Sequence, residues 1–436
     1  MKSNYKKLII CMLLVIGLCL VQIINNRLLI LGVLILFLFF EGQSCLKNYS
    51  FPILLFFLPW APLLKIGVGA TSFYSLGLIL ICGISLLSKK FKCKSYQLLL
   101  TIFLLIITLF AKLLGGNSID SDYIMFMILF FLFPVVKEEV HIKNYDFKEC
   151  LIFFCTGIIS AAILAKELFI YSNIAKYVTV HTIKSIVRLS GFYGDPNFYS
   201  AHITAAIAGC LIIFLNVKRR KEYLLISVLI VILLYCGMLS SSKSFIIVAT
   251  FTIIVWILEI MFMKKKIVHK LIIISCIVLA GVFIVSSVEF NELLQMQVQR
   301  FSNANNVSNL TTGRSDLWKM YIEEISQNAR IFFVGQGLSN ILVQGRASHN
   351  TLIQIIYQFG IIGVIGIITW IILFFKKHVT IIVFNKKNFI KYLILAIGIF
   401  LPWMALDMLY FDEFFLMFML TYCGIEYIRE ENGQVG

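Results

Sequence analysis

The sequence predicts an all-α polytopic membrane protein with about twelve to fourteen transmembrane helices and one large, partly helical extracytoplasmic loop. Three observations carry that expectation. Hydrophobic residues make up 60% of the 436 positions, charged ones 14%, and the mean hydropathy is +0.94. That leaves too little polar surface to cover a globule in water. Apolar runs near the length of a spanning helix, about 20 residues, recur from one end to the other, and Lys and Arg gather in short clusters between them. The chain is therefore read as a single membrane domain, 1–436.

Met1 to Lys7 followed by the apolar run 8–24 has the charge-then-apolar order of a signal peptide. No small-x-small cleavage site follows, so it reads as a first anchor that starts in the cytoplasm. Further spans are expected near 28–41, 51–66, 72–88, 96–114, 121–136, 149–171, 197–215, 223–240, 244–263, 271–288, 351–375, 389–406 and 410–428. The run 28–41 is short and 51–66 carries Pro52, Pro59 and Pro62, which gives the count its range. Alternation from a cytoplasmic start puts the basic clusters at Lys89, Lys218 to Lys221, Lys264 to Lys266 and Lys376 inside. Two polar loops, 172–195 and 289–349, then face outward.

The net charge of +16 comes largely from those clusters. No basic face interleaved with aromatics occurs in a polar segment, so nucleic acid is not expected as a partner. The 11 cysteines fall in apolar spans or basic loops, without a CxxC pair or zinc spacing, so neither a disulfide framework nor a metal cluster is expected. No repeat and no similarity between halves is visible, which counts against an internally duplicated transporter.

Chemistry is sought in the two polar loops. The first ends in Arg188-Leu189-Ser190-Gly191-Phe192-Tyr193-Gly194-Asp195-Pro196-Asn197. Asp195 can cap the helix that follows, and Pro196 sits where its missing N–H costs nothing. Such a helix start either ends a membrane span or binds an anion through its dipole. If the segment before it were helical, His181, Lys184 and Arg188 would share one face. In the second loop, Thr312 or Ser315 can cap an amphipathic helix over about 315–327, with Leu317, Tyr321 and Ile325 on one stripe. Arg314 would stand at its N-terminus, where a cation gains nothing from the dipole, which favours a role in ligand binding.

Gly335-x-Gly337 is too short for a phosphate loop and reads as a turn. Asn350 can cap the next span. Of the 6 histidines, only His181 and His349 fall in outward loops, and His349 sits at the membrane edge, placed to take a proton or simply to line the headgroups. Asp120-Ser121-Asp122 could hold a metal but serves equally as a helix cap. Lys112, Lys166, Glu167 and Lys243 fall inside or at the ends of spans, where charge is expensive.

The ordered set Arg188, Gly191, Asp195-Pro196-Asn197, Thr312-Gly313-Arg314, Trp318, Gly335-x-Gly337 and His349-Asn350, ahead of a span with Gly360, Gly363 and Gly366, resembles the O-antigen polymerase and ligase superfamily. The resemblance covers 188–370. It implies a GT-C-like membrane glycosyltransferase of the bacterial cytoplasmic membrane, working on its outer face. The substrates it implies are undecaprenyl-diphosphate-linked oligosaccharides, polymerised into a surface polysaccharide such as O-antigen or capsule, with neither metal nor other cofactor. Arg188 and Arg314 match the family's essential arginines and His349 its loop histidine, the three residues expected to be catalytic. Arg346, Asp195, Asn197 and Asn350 are further expected substrate contacts. Partners implied are the lipid bilayer, a flippase and chain-length regulators. A ligase that moves the glycan to a lipid, teichoic acid or protein acceptor shares these motifs. A lipid-linked saccharide transporter or flippase is the alternative from another class, and it would call for repeats and broken midplane helices.

Overall fold

The computed structural model describes residues 2–47, 49–87, 95–115, 145–178, 181–183, 186–188, 190–193, 195–217, 219–262, 313–337, 342–375, 388–409 and 411–430, with isolated positions 124, 126, 128–130, 291, 295, 298, 302 and 311. These residues form a helical bundle whose only sheet, among the described residues, is a two-stranded hairpin. Among the described residues, seven helices are long and apolar enough to cross a membrane, and four shorter apolar helices join them. The chain is thus a multi-pass α-helical membrane protein. The expected spans 121–136 and 271–288 lie largely or wholly outside the described residues, as does Asp120-Ser121-Asp122.

The order begins with α1 (Lys2–Ile24) and α2 (Arg27–Leu46), the latter started by Asn26, whose side chain accepts from the Leu28 and Leu29 N–H groups. The expected span at 51–66 is not one continuous helix. Ser50–Phe57 forms α3, and Leu58–Trp60 tightens into a 3-10 turn at Pro59. All of it is buried in protein, which is the condition under which broken helix is tolerated at membrane depth. Side-chain bonds tie this segment to its neighbours: Gln22 donates to Lys65 O at 2.9 Å, Tyr74 to Leu54 O at 2.9 Å and Tyr193 to Leu58 O at 2.8 Å.

Next come α4 (Phe73–Leu87), α5 (Ser95–Leu114) and α6 (Phe147–Leu168). The segment before Arg188 is not helical, so the condition under which His181, Lys184 and Arg188 would share one helix face is not met. His181–Ile183 (β1) and Ile186–Arg188 (β2) pair antiparallel, with His181 opposite Arg188. The alternating Thr182, Ile183, Ile186 and Val187 favour a strand through their branched Cβ atoms. Lys184 lies outside the described residues.

Helix α7 (Pro196–Asn216) is the centre of the bundle: nearly every residue in it is buried, and α6, α8 (Arg220–Leu239), α9 (Lys243–Phe262) and α13 (Phe389–Phe400) pack around it. Its apolar residues run all the way round, which is what a helix needs when neighbours surround it. The large loop contributes α10 (Arg314–Gln327) and α11 (Ala329–Phe333), followed by α12 (Thr351–Phe374). The chain ends with α13, a 3-10 turn at Leu401–Ala405 and α14 (Asp412–Glu430).

Gly335-x-Gly337 is more than a turn. Helix α12 is kinked at Gly360, whose backbone (φ 58°, ψ −177°) leaves the helical region. The kink exposes carbonyls that the ladder would have used. Gln336 N–H donates to Tyr357 O at 2.8 Å and Gly337 N–H to Gln358 O at 2.9 Å. The backbones approach so closely that a Cβ on Gly335 would meet Gln358 O at 2.3 Å. This clasp fixes the end of α11 to α12. Gly360→Ala combines a left-handed alanine with a backbone clash, so a loss of at least about 1–3 kcal/mol is expected. Thermal unfolding in detergent should show it as a lowered midpoint.

Candidate functional site: a cationic cavity where four helix N-termini meet

Asp195 caps α7 by accepting from Asn197 N–H at 2.8 Å, and Asn350 caps α12 by accepting from Leu352 N–H at 3.0 Å. Both caps follow the local sequence signals. Helix α10 begins differently from expectation: its N-cap is Gly313 at φ 80°, one residue after Thr312 and two before Ser315, and Ser315 N–H donates to Thr311 Oγ1 at 3.2 Å. Thr312 is outside the described residues. On α10, Tyr321 and Ile325 are buried while Lys319, Glu323 and Glu324 are exposed, as the amphipathic stripe predicts.

These starts converge. A cavity of about 570 Å³ is lined by Asp195, Pro196 and Asn197 at the head of α7, Lys243 and Ser244 at the head of α9, Arg314 at the head of α10 and His349 just before α12. Arg188 from the hairpin also lines it, as do the side chains of Ile247, Leu317, Trp318, Leu401 and Met404. Arg188, Arg314, His349, Asp195 and Asn197, distant in sequence, therefore meet at one place. Asn350 sits one residue behind the lining as a buried cap. Arg346 does not line the cavity: its side chain is exposed, and its carbonyl accepts from the Tyr321 hydroxyl at 2.8 Å. Burial pushes the Tyr321 phenol up to about 12, which keeps it a neutral donor in that bond.

The cations are held in place rather than loosely displayed. Arg188 is buried, and its Nε–H donates to Ser240 O at 3.2 Å, in the turn between α8 and α9. That turn is tied to α7, since Ser242 Oγ donates to Asn197 Oδ1 at 2.7 Å and Asn197 Nδ2 donates to Asp195 Oδ1 at 2.7 Å. Burial pulls the Arg314 pKa down from its ordinary value, and the nearby charges of Asp195 and Asp407 oppose that pull. An arginine starts so high that it stays charged.

Two residues that the sequence reading did not assign to the site emerge here. Lys243, a functional candidate as one of four span charges but not assigned to this site, supplies a third cation to the lining. Asp407 organises the histidine: its carboxylate accepts from the Ser348 hydroxyl, from His349 N–H at 2.9 Å and from Asn350 N–H at 3.1 Å. His349 has φ 48°, a left-handed conformation that is uncommon for a residue with a side chain and persists only where neighbours enforce it. Asp407 is what enforces it. A charged acceptor is worth about 1.5–3 kcal/mol per bond, so Asp407→Asn, whose amide also meets N–H with N–H, should destabilise this turn on that scale and lower the thermal midpoint of the protein in detergent.

The arrangement suits an anion. Four N-terminal helix ends carry partial positive charge toward one cavity, and among the described lining residues Arg188, Lys243 and Arg314 outnumber the carboxylate, Asp195. Its other wall is aliphatic, and Ile247 and Met404 are exposed at the bundle surface. Fold and cavity together define a multi-pass helical membrane protein with a cationic cavity at one end of the bundle, open to apolar groups. Compared with protein-family models, curated proteins and solved structures, the chain matches none.

Proposed function

We propose that the protein is a membrane glycosyltransferase that polymerises undecaprenyl-diphosphate-linked oligosaccharides on the outer face of the bacterial cytoplasmic membrane. The observation that carries this reading is the meeting of Arg188, Arg314 and Lys243 with four helix N-termini in one cavity that also holds His349 and an aliphatic wall. A diphosphate fits the cations, and a polyprenyl chain fits the wall. The resemblance of the ordered loop motifs to the O-antigen polymerase and ligase superfamily supplies the substrate class.

In this reading the acceptor hydroxyl attacks C1 of the donor sugar, and the bond from C1 to the diphosphate oxygen breaks. The electron pair leaves with the diphosphate, whose growing charge is stabilised by the guanidinium groups through two-pronged hydrogen bonds. The imidazole of His349 takes the hydroxyl proton, then releases it to the leaving group or to water. Attack opposite the leaving group inverts the anomeric centre. The fixed cations do the work that a bound metal does in other transferases, so the reaction is expected to run in excess EDTA.

The test is reconstitution. Purified protein in lipid nanodiscs, given the lipid-linked repeat unit from its own strain, should build a ladder of lipid-linked products. Transfer of one glycan to a non-diphosphate acceptor, with no ladder, would make the protein a ligase. Movement of the lipid across a vesicle bilayer with no new glycosidic bond would make it a transporter.

A further inference from the structure

Trp318 has a place in the cavity that neither capping nor helix packing accounts for. It lies four residues after Arg314 on α10, so both stand on the same face of that helix. Its indole Nε1–H donates to Ser348 O at 3.1 Å, the carbonyl just before His349. The ring therefore bridges the cation at the head of α10 and the turn that carries the imidazole. Of the described residues that line the cavity, Trp318 alone carries an indole or phenyl ring.

We infer that Trp318 is the platform on which the donor sugar ring stacks, a reading that rests on the function proposed above. With its N–H engaged by Ser348, the indole has only ring carbons left to offer the cavity, and a ring lying along the lining would present its face. That face is electron-rich. The axial C–H groups of a pyranose, polarised by the ring oxygens, are its natural partners. Position identifies which sugar: the donor ring is bonded through C1 to the diphosphate, so it must lie between the phosphate-holding Arg314 and the proton-accepting His349. Trp318 spans that interval. It is a positioning residue and takes no part in proton or bond transfer.

A purely structural role would lie in the N–H anchor to Ser348, and the two roles separate by substitution. Trp318→Phe keeps an aromatic face and loses the N–H; Trp318→Leu keeps apolar bulk and loses both. Binding to protein in nanodiscs should be measured with two probes, undecaprenyl diphosphate and undecaprenyl-diphosphate-N-acetylglucosamine. The wild type should bind the glycosylated lipid about tenfold more tightly than the bare one. All three proteins should bind the bare lipid alike. The gain from the sugar should survive within about threefold in W318F and vanish in W318L. A gain undiminished in W318L, or lost equally in W318F, would overturn the platform. No gain in the wild type, with the bare lipid bound, would overturn the platform and leave the diphosphate reading standing. Failure of the wild type to bind either lipid would overturn both.

Discussion

Arg314→Ala is expected to abolish saccharide elongation while the protein still accumulates in the membrane. The residue stands at the positive end of α10, where the helix dipole repels it, and burial works against its charge. Nothing in the stability of α10 asks for a cation there. Its cost is offset by Asp195 and Asp407 in the resting protein, and in this account by the diphosphate during turnover. Removing a donor aimed at developing negative charge costs on the order of 3–4 kcal/mol, or ~10²–10³ in rate. Arg314→Lys should recover only part of this, because an ammonium cannot make the paired, planar contact. Product ladders from a deletion strain carrying each variant at matched protein level provide the measurement. Wild-type ladders from Arg314→Ala would remove the residue from the mechanism. Arg188→Ala is expected to lose activity on the same scale, since its guanidinium is buried against the α8–α9 turn and lines the same cavity.

Replacing His349 is expected to cost ~10²–10⁴ in turnover, the usual worth of a positioned proton acceptor, with lipid-diphosphate binding nearly unchanged. Its backbone makes the choice of substitute informative. At φ 48° a glycine is comfortable and an alanine is strained. His349→Gly should therefore fold at least as well as His349→Ala yet be as inactive. If activity instead followed stability across the two variants, the imidazole would be a structural group at the headgroups. Single-turnover rates set beside thermal midpoints of the same preparations separate the two outcomes.

What the sequence disclosed and what it hid follow from the range of the interactions. Caps at Asp195 and Asn350 were legible because the side chain bonds a backbone N–H two residues on. The amphipathic α10 was legible from its period. Arg314 stood out because it offends a local rule, and an offence against local stability tends to mark a site. Asp407 was hidden: its partners are 57 to 59 residues away, and it follows a run that reads as continuous membrane helix. Lys243, beside Ser240-Ser241-Ser242, was legible as a costly charge near the outer surface, but nothing local tied it to the same cavity as Arg188 and Arg314. The hairpin before Arg188 was not foreseen: the spacing of three and four was considered only for the case of a helix, whereas Thr182, Ile183, Ile186 and Val187 favour a strand. Gly335-x-Gly337 was recognised as a turn, but its bond to α12 depends on the kink at Gly360. A kink at an isolated glycine does not announce where the freed carbonyls will find donors.

The central claim is that two arginines from separate loops hold one lipid diphosphate. Cryo-electron microscopy of the protein in nanodiscs with undecaprenyl diphosphate tests it most directly. The account predicts phosphate density in the cavity in contact with both Arg188 and Arg314, with the prenyl chain leaving along Ile247 and Met404. An empty cavity at saturating lipid, or a headgroup bound elsewhere on the bundle, would contradict it.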